Sequence, residues 1–145
     1  LYILRIRFPK SLGFSLDVPE ELLDSCRVPA LILQPLVENS VIHAFKGIER
    51  PGQISIRVWK EDAVVSLSVR DNGIGINEET AGRLLEHHSR EVNPESKVMG
   101  LENVIHRLYF FYPEQDDVVT IRGEPGVGTE IVIRIDTEVE PCIPS

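Results

Sequence analysis

The sequence has little cysteine, few basic residues and no long apolar run. Its two cysteines, Cys26 and Cys142, have no CxxC or metal-ligand spacing. This argues against a thiol metal site and favours free thiols in a reducing compartment. No apolar stretch approaches the roughly 20 residues of a membrane-spanning helix. Lysine and arginine number 15 against 23 acidic residues, a net charge of -8, which argues against nucleic acid as a partner because nucleic-acid binders normally carry a basic face.

The length and apolar content are those of one domain. The chain has 145 residues, 42% of them hydrophobic, which is enough for a single core. It does not begin with Met and opens directly in a strand-like run, so we interpret it as a piece of a longer protein. We expect one domain over residues 1–136 and a poorly ordered tail over 137–145, which contains two prolines.

Apolar periodicity predicts an α+β fold. Alternating apolar residues predict strands over 1–8, 14–18, 54–60, 63–71, 118–122 and 129–135. Helical spacing predicts helices over 29–45, with a kink at Pro35, and over 77–87 and 99–112. The polar segment 88–98 is typical of a mobile loop. We therefore expect a mostly antiparallel sheet with helices packed on one face.

An asparagine in the long helix is the first candidate site residue. With 3.6 residues per turn, Asn39 shares a stripe with Pro35 and His43, beside an apolar stripe that can face the sheet. At the edge of the core its amide oxygen suits Mg²⁺, a cation that prefers oxygen ligands. The alternative is an ordinary polar helix residue, which is the interpretation that the helix taken alone favours.

Asp71 ends the strand 63–71 on the same face as the apolar residues of that strand. A carboxylate there needs a hydrogen-bond donor. The amino group of adenine fits, because an ionised Asp only accepts. Gly73 and Gly75 follow and leave room for a flat base near the backbone. The alternative is a hairpin turn, which Asn72-Gly73 favours, although the segment 78–86 looks helical rather than extended.

Three further positions suit phosphate or base binding. Gly100 lies at the start of the helix 99–112, where free N–H groups bind anions, and Lys97 just before it can supply a cation. Thr129 opens the last strand on its inward face and lies near Asp71 if the two strand ends are adjacent. Each has an ordinary alternative: a junction glycine, a solvated lysine and a strand-starting threonine.

Together and in this order, these residues resemble the ATP-binding domains of the GHKL superfamily, and within it the LytS-type sensor histidine kinases. The matching segments are VPALILQPLVENS at 28–40 (N-box), DNGIG at 71–75 (G1 box), GLENV at 100–104 (second glycine box) and GVGT at 126–129 (closing Gly-Thr motif). The resemblance covers residues 1–135.

The resemblance implies a Bergerat-type α/β sandwich, with a mixed, mostly antiparallel sheet and helices on one face. It implies ATP and Mg²⁺ as ligands, with Mg²⁺ on Asn39, the adenine amine on Asp71 and water-mediated support from Thr129. Gly100 and Leu101 lie in the second glycine box, behind the ATP lid.

A basic residue often follows the N-box asparagine by three positions. That position is Ile42, and the nearby His43 and Lys46 can substitute. The resemblance also implies transfer of the γ-phosphoryl group to a histidine on an upstream dimerisation domain. A response regulator and a homodimeric, membrane-anchored parent with this domain in the cytoplasm are implied as well. We assign neither a phosphoacceptor nor another catalytic residue within this chain.

Three departures from the family pattern bear on the alternatives. Val98 stands where the lid usually has the first glycine of Gly-x-Gly, which, with Ile42, supports a degenerate nucleotide-binding module that regulates a partner without phosphotransfer. Pro35 stands where hydrolytic GHKL ATPases carry a water-activating Glu, which argues against a hydrolytic ATPase. A kinase catalytic domain is the leading hypothesis.

Overall fold

The computed structural model describes residues 12–25, 30–86 and 99–138 of the chain. In chain order these residues form β1 (Leu12–Asp17), α1 (Glu20–Ser25), α2 (Ala30–Asn39), a π-helical segment (Ser40–Ala44), β2 (Gly52–Glu61), β3 (Val64–Asp71), α3 (Glu78–Glu86), α4 (Met99–Phe111), β4 (Val119–Glu124) and β5 (Gly128–Asp136). Within the described residues, none of the helices is both long and apolar enough to cross a membrane.

The strands form one five-stranded sheet in the order β1-β2-β3-β5-β4. β1 pairs with β2 in parallel, and the other three pairs are antiparallel. Helix α2 packs against α4, and α3 packs against β4. The predicted α+β class, a mixed and mostly antiparallel sheet with helices on one face, is confirmed.

The core lies between this helical layer and the inward face of the sheet. Its fully buried side chains come from α2, α4 and alternate positions of the strands, namely Leu36, Val37, Ile105, Leu108, Ile54, Val69 and Ile133. Helix α3 begins at a side-chain cap, because Oδ1 of Asn77 accepts a hydrogen bond from the N–H of Thr80 at 2.8 Å. The alternation of apolar residues in the strands and their 3.6-residue spacing in the helices thus predicted both layers of the fold correctly.

The element bounds agree with prediction to within a few residues, with one helix missed. Helix α1 is only six residues long, and its signals were Pro19 just before it and the acidic pair Glu20 and Glu21 in its first turn. Residues 1–8 and 88–98 lie outside the described residues. So does most of the predicted tail, although Thr137 still donates its backbone N–H to the carbonyl of Ala63 at 2.8 Å.

The long helix differs from prediction after its first ten residues. Helix α2 passes through Pro35 and then widens into the π-helical segment Ser40–Ala44. A π segment bonds i to i+5, so each turn contains more residues than in an α-helix. The 3.6-residue spacing that predicted a stripe through Pro35, Asn39 and His43 therefore does not hold beyond Asn39.

Substitution of Leu108 tests how much α4 contributes to the stability of the core. Its side chain is fully buried, so Leu108→Ala should lower the free energy of unfolding by about 2–5 kcal/mol through lost contacts and a residual cavity. Phe110 on the same helix is 54% exposed, and Phe110→Ala should change it by about 0.5 kcal/mol or less. Urea denaturation measures both, and equal losses would contradict this assignment of the core.

Candidate functional site

Asp71 is a buried acidic side chain at the end of β3, only 6% exposed. It continues the inward row of Val65, Leu67 and Val69, as the alternation predicted. Its Oδ2 accepts a hydrogen bond from Oγ of Ser40 at 3.2 Å, and its Oδ1 accepts one from the N–H of Gly73 at 2.9 Å. The backbone N–H of Thr129 is a third donor.

Burial governs the protonation of this carboxyl. Desolvation raises the pKa of Asp71 above its ordinary 3.8, while the hydrogen bonds from Gly73, Ser40 and Thr129 oppose that shift without cancelling it. A carboxylate has about four acceptor positions, and three donors leave about one of them for a ligand. The group is therefore held in place and still able to accept a hydrogen bond from a bound molecule.

Ser40 is a site residue that sequence reasoning missed. It is 2% exposed and opens the π-helical segment directly after Asn39. It follows the buried Leu36 and Val37 by four and three residues, which puts its hydroxyl on the inward face, where it reaches Asp71, 31 positions away in the sequence. The available signal was a small hydroxyl residue next to Asn39 in an otherwise apolar helix.

The loop after Asp71 is packed tightly between two other segments. The N–H of Ile74 donates to the carbonyl of Ala44 at 2.8 Å, at the end of the π-helical segment. A Cβ on Gly73 would lie 2.3 Å from that same carbonyl oxygen. Gly75 has φ +76°, and its Cβ would lie 2.0 Å from the carbonyl oxygen of Glu124. The space beside both glycines is thus filled by protein backbone.

The hairpin interpretation of Asn72-Gly73 is wrong. The chain leaves β3 through this loop and enters α3, and the other neighbour of β3 in the sheet is β5. The register places Asp71 directly opposite Thr129. The two strand ends are therefore adjacent, which was the condition for Thr129 to lie near Asp71.

Asn39, the predicted magnesium ligand, lies one residue before Ser40. It is the last residue of α2, is half-buried, and makes no side-chain capping hydrogen bond to the π-helical segment. Among the described residues, no His, Cys, Asp or Glu cluster of three or more is placed to hold a metal. Mg²⁺ often takes one or two protein oxygens and completes its shell with phosphate and water. The free amide oxygen of Asn39 fits that limited role.

The other predicted binding residues are placed unequally. Lys46 is exposed just after the π-helical segment. Gly100 lies in the first turn of α4, where helix N–H groups are free. The side chain of Leu101 is 4% exposed and packs into the core, so only its backbone is available to a ligand. Lys97 and the side chain of His43 lie outside the described residues.

A cavity of about 590 Å³ borders Asp71 and Thr129 from the opposite face of the sheet. Its lining includes the outward-facing side chains Gln53, Ser55, Arg70, Arg122 and Glu130. These positions alternate along the strands with buried residues such as Ile54 and Val69. Ser40 and Asn39 approach from the helical layer instead, so this cavity is a separate surface from the candidate site.

Comparisons with known proteins identify the family of this chain. Residues 27–139 match the family model of histidine kinase-, DNA gyrase B- and HSP90-like ATPases. Sensor histidine kinase YesM of Bacillus subtilis (strain 168) is 35% identical over 140 residues, which cover 97% of this chain and 21% of YesM. Sensor protein LytS of Bacillus anthracis is 32% identical over 135 residues, covering 92% of this chain and 22% of LytS.

A solved structure shows the same fold. The histidine kinase domain of the blue-light activated histidine kinase EL346 from Erythrobacter litoralis matches with a TM-score of 0.59 at 17% identity. The match covers 90% of this chain and 57% of that one. The resemblance predicted from the N-box and glycine boxes is confirmed, and the chain spans about a fifth of the length of the curated relatives it matches.

The raised pKa of Asp71 gives a test on stability. The unfolded chain ionises near the ordinary pKa of 3.8, and the folded chain only at higher pH. Stability should therefore fall as the pH rises from the ordinary pKa to the raised one, and then level off. Asp71→Asn removes this titration and keeps an oxygen for Gly73. Its melting temperature should exceed that of the unmodified chain at neutral pH, by a margin that widens across this pH range.

Thermal unfolding between about pH 4 and pH 8 measures that margin, and the comparison with the unmodified chain cancels the titration of the other carboxyls, whose ordinary pKa values lie near about 3.9 to 4.3. The control is Asp62→Asn, which removes the same charge from an exposed turn between β2 and β3. Asp62→Asn should follow the unmodified chain. Parallel melting curves for Asp71→Asn and the unmodified chain at all pH values would contradict the burial argument.

Proposed function

Since this chain belongs to the family of histidine kinase-, DNA gyrase B- and HSP90-like ATPases, we propose that it is the ATP-binding catalytic domain of a sensor histidine kinase, formed by residues 1–136. One observation carries the proposal. The Asp71 carboxylate is buried, is fixed by three donors and keeps an acceptor position for a ligand. A buried charge of this kind is costly for stability and is typical of a functional site.

Adenine is the proposed partner of that acceptor. Its exocyclic amine is a donor, and an ionised carboxylate is a pure acceptor, so the pair is complementary. Ser40, Gly73 and Thr129 hold the carboxylate in one orientation, which reduces the ordering required when the base binds.

The phosphates are proposed to lie towards Asn39 and the start of α4. Asn39 would hold the magnesium ion, which supplies charge neutralisation at the phosphate oxygens when bound. The free N–H groups of Gly100 and Leu101 suit the phosphates, as the first turn of a helix favours anions. His43, Lys46 and Lys97 are the proposed cations around this end of the nucleotide.

Phosphoryl transfer to a histidine, rather than hydrolysis, fits the helix around Asn39. Pro35 is half-buried one turn before Asn39 and carries no base. Glu38 is engaged elsewhere, because its Oε1 accepts a hydrogen bond from Nε2 of Gln34 at 3.0 Å on the exposed side of α2. No carboxylate on this helix is therefore poised to activate water.

The acceptor is proposed to be a histidine on an upstream dimerisation domain of the parent protein. The parent would be a homodimer anchored in the membrane, with this domain in the cytoplasm, and would pass the phosphoryl group to a response regulator. These features extend the likeness to sensor histidine kinase YesM and sensor protein LytS.

Isothermal titration of the chain with Mg-ADP tests nucleotide binding. Asp71→Asn should weaken binding at least about a hundredfold, because it removes a buried, charged acceptor. Asn39→Ala should weaken binding about tenfold in the presence of Mg²⁺ and much less in EDTA, since its role is to hold the metal. Asp62→Asn should bind normally. Absence of binding by the unmodified chain at millimolar nucleotide would overturn the proposal.

Phosphotransfer is tested separately in the parent protein. Label from the γ-phosphate of ATP should appear on a histidine outside residues 1–136, as a product stable in alkali and labile in acid. Asp71→Asn should abolish the label because the nucleotide is no longer held. Binding without any labelling would favour a regulatory nucleotide-binding module, for which Val98 in the lid and Ile42 in the N-box are the sequence evidence.

A further inference from the structure

Arg50 joins the two loops that flank the candidate site. Its Nη2 donates to the carbonyl oxygens of Asn72 at 2.6 Å, Gly73 at 3.0 Å and Gly126 at 3.1 Å. Its Nε donates to the Asn72 carbonyl as well, at 3.2 Å. One guanidinium thus gathers three backbone carbonyls from segments more than 50 residues apart in the sequence.

The two loops carry the groups that recognise the base. Asn72 and Gly73 directly follow Asp71, and the N–H of Gly73 is itself a donor to the Asp71 carboxylate. Gly126 lies three residues before Thr129, whose backbone N–H also reaches that carboxylate. A shift of either loop would therefore move a donor away from Asp71.

Neighbouring hydrogen bonds make the arrangement a single unit. The N–H of Gly126 donates to the carbonyl of Ile74 at 2.7 Å, which links the two loops directly. Oδ1 of Asn72 accepts a hydrogen bond from the N–H of Gln53 at 2.7 Å, and its Nδ2 donates to the carbonyl of Pro51 at 3.2 Å. The segment that carries Arg50 is thereby fixed against the loop it clamps.

The chemistry of the contact favours arginine over lysine. A guanidinium presents five N–H donors in a rigid planar fork, whereas an ammonium has three donors on a flexible stem. Within the part of the chain that the structure describes, Arg50 forms no ion pair with a carboxylate. Among those residues, the hydrogen-bond partners of the Arg50 guanidinium are backbone carbonyl oxygens only.

We propose that Arg50 is a positioning residue for the nucleotide site: it locks the loop after β3 to the β4–β5 turn so that the donors around Asp71 stay in register. This inference rests on the proposed function. Arg50 acts through the protein backbone and makes no contact with the nucleotide. Its loss lowers affinity because binding must then order loops that the guanidinium had already fixed.

The test compares the unmodified 145-residue chain with Arg50→Gln and Arg50→Lys. Titration with Mg-ADP and with AMP should show about tenfold weaker binding for Arg50→Gln with both ligands, since charged hydrogen bonds to the loops are lost while the phosphate contacts are not. Arg50→Lys, which keeps the charge and can reach fewer carbonyls, should recover part of the affinity. Hydrogen exchange at the amide of Gly126 should accelerate in Arg50→Gln, because its partner loop is released.

Arg70→Gln is the matched control. It removes one positive charge from the exposed outer face, next to Asp71 in the sequence, at a side chain outside the proposed binding site. It should leave both affinities and the exchange rate of Gly126 unchanged. Melting curves of all variants show whether the fold is retained, and Arg50→Lys carries the test if Arg50→Gln does not fold.

Three outcomes would overturn the assignment. Normal affinity of Arg50→Gln would show that the loops hold their register without the guanidinium. A larger loss for Mg-ADP than for AMP would mean that Arg50 contacts phosphate directly. An equal loss of affinity in Arg70→Gln would mean that the effect comes from overall charge and not from the contacts of Arg50 with the loops. Absence of binding by the unmodified chain overturns the proposed function instead, and faster exchange at Gly126 would then leave Arg50 a loop clamp without a role in nucleotide binding.

Discussion

The arrangement of this domain depends on keeping a carboxylate in the apolar row of β3. Burial of Asp71 opposes its ionisation, and the surrounding donors only partly offset that penalty. Ionisation of Asp71 is therefore at the expense of stability, and each neighbouring segment contributes one donor. Helix α2 leads to Ser40, the loop after β3 gives Gly73, and β5 gives Thr129. The site is thus the point at which three elements distant in sequence meet.

Several irregular features of the backbone lie around Asp71 and its hydrogen-bond donors. Ser40, the first residue of the π-helical segment, donates to Asp71, and the carbonyl of Ala44, its last residue, accepts from the N–H of Ile74. Gly73 permits the close approach that follows, since any Cβ there would collide with Ala44. A π segment is uncommon and often accompanies function. Here it begins directly after Asn39, at the residue that donates to Asp71.

The sequence predicted the features that follow from periodicity. Alternation in the strands placed Asp71 and Thr129 on the inward face, and the sheet order then brought them together. Ser40 and Arg50 were missed for physical reasons. Helical spacing from Leu36 and Val37 places Ser40 on the inward face, but its partner Asp71 lies on a distant strand. The three carbonyls around Arg50 likewise converge only after two loops have folded. Every residue has a backbone carbonyl, so the sequence does not show which carbonyls will converge on Arg50. Such a contact is recognised only in the folded structure.

In the proposed function, recognition of the base and transfer of phosphate are separable. The contact between Asp71 and the adenine amine is its central claim. The most direct measurement compares the affinity of the chain for ADP and for inosine diphosphate, which carries an oxo group in place of the adenine amine. If Asp71 accepts a hydrogen bond from that amine, ADP should bind at least about a hundredfold more tightly, because the inosine oxygen would face a buried acceptor with no donor between them. Asp71→Asn should reduce that preference. Equal affinity for the two nucleotides would contradict the account.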